Sequence, residues 1–143
     1  MPTVFDFDSY LRQKLEPKFG TIGLVARMKL LYAVHRTAIA KTNEPAFAGV
    51  CRAWKMGPVF VDLYERPNIG GNPGALTGTE KGYCDWVARV LGATSGRKLA
   101  ARSHCRYPEW VEAKRKPVNN EITLAAIRAA LDAVRPATMD NHE

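Results

Sequence analysis

Long apolar runs, cysteine pairs and catalytic signatures are all missing from this sequence of 143 residues. No stretch approaches the roughly 18 consecutive apolar residues that a membrane-spanning helix needs. The opening residues, Met1 to Asp8, start acidic and lack a cationic segment followed by an apolar one. They do not read as a signal peptide, and the expectation is a cytoplasmic protein. The cysteines, Cys51, Cys84 and Cys105, are odd in number and contain no C-x-x-C. That excludes a disulfide framework and points to small buried hydrophobes. The one adjacent His/Cys pair, His104-Cys105, falls short of the four clustered ligands of a zinc site, so no metal is expected. G-x-S-x-G, H-E-x-x-H and paired-carboxylate signatures are absent. Ser103-His104-Cys105 is no catalytic pair, because adjacent helical residues point about 100° apart. The other histidines are His35, beside an apolar stripe with no acid or base partner nearby in sequence, and His142 near the end. The glycine-rich stretch Glu65 to Gly78 has neither phosphate-loop pattern and reads as a flexible surface connector. Neither enzymatic activity nor a cofactor is expected.

What is present fits one globular domain over 1–143. Hydrophobic residues make up 46% and charged residues 24%, and a chain of this size buries about two-thirds of its unfolded surface without staples. The net charge is +7, from 21 Lys and Arg against 14 Asp and Glu. It is uneven: between Arg97 and Lys116 stand Arg97, Lys98, Arg102, Arg106, Lys114, Arg115 and Lys116, with only Glu109 and Glu112 against them. Such a surface attracts an acidic partner, either an acidic protein or nucleic acid.

The periodicity predicts a mainly α fold of six or seven helices. A first helix runs from about Asp6 to Leu15, ending before Pro17. Thr21 caps a second reaching about Lys41, whose wide apolar arc implies a central position, with Lys29 and Arg36 sharing its polar face. Phe47 to Trp54 reads as a short strand or hairpin arm, near 47–54. Gly57-Pro58 opens a helical segment, Pro58 suiting its first position. Thr77-Gly78-Thr79-Glu80 is a capping box for a helix that turns Tyr83, Trp86, Val87, Val90 and Leu91 to one side and stops at Gly92. A helix from Ser95 to about Arg102 and one from Pro108 follow. The last begins after Asn120, with a Leu124, Ile127, Leu131, Val134 stripe. Residues 135–143 form a fraying tail.

Three segments, in order, carry a resemblance. Lys29-Leu30-Leu31-Tyr32-Ala33 lies on the second helix. Ala53-Trp54-Lys55-Met56-Gly57-Pro58-Val59 leads on to Tyr64. Ser103-His104 is followed by Pro108 and Trp110. Together they resemble the K-L-L-Y, W-x-x-G-P-V and T-H…P-W segments of the Panacea domain, also called SocA-like or phage-associated, over about 21–134. Ser103 stands where the family has threonine, and Arg27-Met28 where Leu-Gln is common. The resemblance implies an antitoxin that neutralises a cognate protein toxin by direct contact. The motif residues Lys29, Tyr32, Trp54, Gly57, Pro58, Tyr64, His104 and Trp110, with the basic Arg102 and Arg106, are then the toxin-binding or motif-supporting candidates. The competing expectations are a basic nucleic-acid-binding regulator and an adaptor that delivers a toxin to a protease.

Overall fold

The computed structural model describes residues 1–118 and 120–134. Seven helices and one hairpin follow along them: α1 (Val4–Phe19), α2 (Leu24–Thr42), β1 (Cys51–Trp54), β2 (Gly57–Phe60), α3 (Val61–Glu65), α4 (Gly78–Leu91), α5 (Gly96–Arg106), α6 (Pro108–Lys114) and α7 (Leu124–Val134). The mainly α expectation holds.

The second helix is the axis. Every residue from Arg27 to His35 is buried, as are Ala38 and Ile39, so α2 is covered on all sides, by α1, α4, α5, α7 and the hairpin. Two charged side chains go inside with it. Arg27 donates from Nε and Nη2 to the two oxygens of Asp8 on α1, at 3.0 and 2.7 Å, and from Nη2 to the Pro67 carbonyl at 2.7 Å. A guanidinium paired with a carboxylate and hydrogen-bonded to it is the form in which such a charge tolerates the interior. It fixes α1 against α2 and ties down the loop after α3.

Several elements differ from the sequence reading, for identifiable reasons. The helical segment expected to open at Gly57-Pro58 begins only at Val61, as α3, and Gly57–Phe60 is the second strand of the hairpin, which therefore spans Cys51 to Phe60 and excludes Phe47. Gly57 has φ +114°, a region closed to a helix and strained for any residue with a Cβ. Pro58 fits the strand because its partner Ala53 turns its hydrogen-bonding groups the other way: Ala53 N–H donates to the Asn120 carbonyl, and Asn120 Nδ2 donates to the Ala53 carbonyl. A proline is tolerated where no ladder bond is asked of it. The 120–122 segment thus flanks β1 on its free side, with Ile122 N–H donating to the Cys51 carbonyl at 2.8 Å.

At the first helix, Pro17 lies inside α1 and does not end it. Gly23, with no capping side chain, precedes α2 where Thr21 was expected to cap. Lys29 is not on a polar face but buried. Helix α5 runs on to Arg106. The glycine-rich connector lies on the surface yet is pinned to α1: Gly71 N–H donates to Ser9 Oγ and Asn72 N–H to Asp6 Oδ1, at 2.9 and 2.7 Å. A Cβ on Gly71 would stand 2.4 Å from the Phe5 carbonyl carbon, so only glycine allows the loop this close. In α4 the buried residues are Cys84, Val87 and Leu91, while Trp86 and Val90 are exposed. In α7 only Ile127 of the predicted stripe is fully buried, and Val134 is exposed. The expected fraying tail lies outside the described residues.

Candidate functional site

The three motif segments, far apart in sequence, meet at one place. Lys29 projects from α2 under the hairpin, and its Nζ donates to the Pro58 carbonyl at 2.5 Å. Gly57 sits directly over that side chain. A Cβ there would lie 2.6 Å from Lys29 Cε and 2.8 Å from Ser103 Oγ, so the Gly-Pro step, the lysine and the hydroxyl residue of α5 interlock. Ser103 is fully buried and its hydroxyl donates to the Leu99 carbonyl. Trp110 on α6 closes the arrangement: its Nε1 donates to the Trp54 carbonyl at 3.1 Å, and its ring stacks on the exposed His104, centroids 4.3 Å apart.

Behind Lys29 one turn of α2 places Tyr32, wholly buried. Its hydroxyl donates to Glu109 Oε2 at 2.5 Å. Arg36 donates to both oxygens of the same carboxylate, Nε at 2.7 Å and Nη2 at 3.1 Å. The Glu109 side chain has no solvent exposure. Burial, helped by the neighbouring carboxylate charge, raises the Tyr32 phenol well above its usual range. The tyrosine therefore remains a proton donor that holds α6 to α2.

Lys29 has a different setting. It is 3% exposed, and among the described residues no carboxylate lies within ion-pair distance of it. Burial pushes its ammonium down to about 8, which leaves it mostly protonated at neutral pH. Nearby, burial pushes the Cys51 thiol up, so Cys51 stays a neutral thiol.

On the outer side of this knot a groove of about 220 Å³ opens between the start of α2, the hairpin turn and α3. Val25, Met28, Lys29, Trp54, Met56 and Tyr64 are among its lining residues. Large apolar side chains stand exposed around it: Val25 at 39%, Met56 at 45% and Tyr64 at 50%. Trp54 meets Tyr64 edge to face at 4.7 Å, which orients both rings along the wall. Among the described residues no three His, Cys, Asp or Glu side chains come together as a metal site would require.

The candidate residues thus divide. Tyr32, Gly57, Pro58 and Trp110 are buried and build the knot, Lys29 belongs to both knot and groove, and Trp54 and Tyr64 line the groove. His104 is exposed on the Trp110 ring. Arg102 is half-buried against Tyr107, and Arg106 is exposed; neither lines the groove. Sequence reasoning missed Val25, Met28 and Met56 as groove residues, and Arg36 and Glu109 as Tyr32's partners. The two-residue turn between the aligned strands would have flagged Met56 had Gly57–Phe60 been recognised as the second strand.

The described residues thus form a helical domain with a buried polar knot, a mainly apolar groove over Lys29 and an exposed cationic stretch. The comparison with known families gives it a place: residues 28–111 match the family described as the SocA-like antitoxin, Panacea domain. The chain belongs to that family. The match includes the Lys29, Gly57-Pro58 and Trp110 segments and is narrower than the 21–134 span of the resemblance. No curated protein and no solved structure matches the chain.

Proposed function

We propose that the protein is an antitoxin that neutralises a cognate protein toxin by binding it directly. The observation that carries this reading is the family match over residues 28–111. Its geometry is in keeping with a role exercised through a surface. Several polar side chains of the motif segments are engaged in structural bonds: Lys29 with Pro58, Glu109 with Tyr32 and Arg36, Trp110 with Trp54. No substrate is transformed, and inhibition arises from occupancy alone.

The charge distribution suits fast association. Arg97, Lys98, Arg106, Lys114, Arg115 and Lys116 are all exposed. Glu109 is sequestered by Arg36, so Glu112 is the only exposed acid between Arg97 and Lys116. An excess of one sign raises the encounter rate with an oppositely charged partner.

Co-expression tests the reading. Each small protein encoded beside this chain is induced alone and with it. A neighbour that arrests growth alone, is tolerated with the chain and co-purifies with it in a stable complex is the expected result. Rescue with disappearance of the toxin would instead make the chain a protease adaptor. Absence of rescue by any neighbour, with tight and strongly salt-dependent binding to its own promoter DNA, would replace the antitoxin reading with a nucleic-acid-binding one.

A further inference from the structure

Among the described residues, two grooves bordered by exposed large side chains are walled by α2. One lies between α2, α4, α5 and α7 and includes Trp86, Val90, Arg36 and Arg102. Its charge is partly answered from within, since Arg36 already holds Glu109. The other is the groove over Lys29.

We propose that the groove over Lys29 is the toxin-docking site, and that it takes a toxin segment in which a large apolar side chain is followed or preceded by an acidic one. This rests on the antitoxin reading and adds to it the surface and the chemistry of the partner. The apolar half follows from the lining. Met28, Val59 and the Trp54 ring form the walls, and Val25, Met56 and Tyr64 stand partly in water without a covering element. Covering them with one large side chain removes apolar surface from water at a point already flanked by aromatic rings, which is where binding energy concentrates.

The acidic half follows from uncompensated charge. Lys29 is among the lining residues, its ammonium bonded among the described residues to the Pro58 carbonyl alone, and a buried charge is screened less than one in water. Lys55 is exposed on the rim. Gly96 lies against Val25 and Ala26, which brings the start of α5, with exposed Arg97 and Lys98, to the same side. The carboxylates of α3 are Asp62 and Glu65; Asp62 lies towards Gly49, lining a separate cavity with the N-terminal residues, and Glu65 does not line the groove. A carboxylate arriving beside the apolar side chain meets net positive potential.

The test uses the full chain with the toxin identified by growth rescue, and measures binding rates and melting temperature for three exposed substitutions. Met56→Glu is expected to weaken binding by about tenfold or more. Lys55→Glu is expected to slow association by about threefold, and Trp86→Glu to leave binding unchanged, all three melting like the parent. In spectra of chain labelled at the methionine methyls, the Met56 signal moves on addition of toxin. Undiminished binding by Met56→Glu with an unmoved Met56 methyl, or a large loss from Trp86→Glu, overturns the groove assignment while leaving the antitoxin reading intact. If the parent chain itself neutralises no toxin, the reading fails and the assignment with it.

Discussion

The imidazole of His35 lies among the rings of Tyr32, Phe47 and Phe60, with centroids 6.4, 5.1 and 5.5 Å away. Its Nδ1 has no hydrogen-bond partner among the described residues. Burial pushes its pKa down to about 4, whereas the unfolded chain titrates near 6.5. The unfolded state therefore binds the extra proton first, and stability is lost as pH falls from about 6.5 to 4, by about 3 kcal/mol from this group. Urea unfolding across that range should show the loss, and His35→Leu should remove about one proton from the uptake on unfolding. A histidine beside an apolar stripe is legible as a packed one from the sequence alone. Lys29 was not legible. Its seven-residue spacing from Arg36 reads as a solvated face, yet both turn inwards because each finds an acceptor contributed by a distant segment, Pro58 for one and Glu109 for the other. Gly57→Ala should cost about 2 kcal/mol or more, since it adds a strained positive φ to a collision with Lys29 and Ser103. A lowered urea midpoint with an unchanged slope would show it.

Among the elements, the starts of α4, α5 and α6 were the most readable. Thr77 and Glu80 form the reciprocal capping box expected from their spacing: Glu80 N–H donates to Thr77 Oγ1 at 3.1 Å, and Thr77 N–H to Glu80 Oε1 at 2.8 Å. Thr77→Ala should cost about 1 kcal/mol, read as a fall in melting temperature of about 4 °C. The face a helix buries was harder to read. Both the 83-86-90 and the 84-87-91 sectors of α4 are apolar, and periodicity does not choose between them. The choice comes from α1, where the Tyr10 hydroxyl donates to Asp85 at 2.8 Å and sets the rotation that buries Cys84. The hairpin's second strand escaped notice for a related reason: Gly-Pro serves equally as a helix start, and the flanking 120–122 segment is what makes a proline harmless in β2. Helix α6, of seven residues, is held by its bond to α2 more than by its own length. Glu109→Ala leaves Tyr32 and Arg36 without their shared acceptor and should cost about 3–5 kcal/mol in urea unfolding.

At the scale of the whole molecule, the family's short motifs prove to be one contact. Lysine, Gly-Pro, hydroxyl and tryptophan belong to α2, the hairpin, α5 and α6, and each position makes sense only against the others. Their order in the sequence was enough to recognise the family; their purpose, a knot that shapes a groove, required the fold. The basic surface acts at longer range. If it steers a toxin inwards, the association rate should fall about tenfold between low and high salt while dissociation changes little, and stopped-flow mixing at several ionic strengths would measure this. The central claim is that the protein inhibits a toxin by covering it. The most direct measurement is a titration of purified toxin with purified chain, reading residual toxin activity and then the mass of the toxin recovered under denaturant. Inhibition by occupancy makes the activity fall in proportion to added chain, end at a fixed molar ratio, and leave the toxin's mass unaltered. A trace of chain silencing a large excess of toxin, or a toxin recovered with a changed mass, would contradict it.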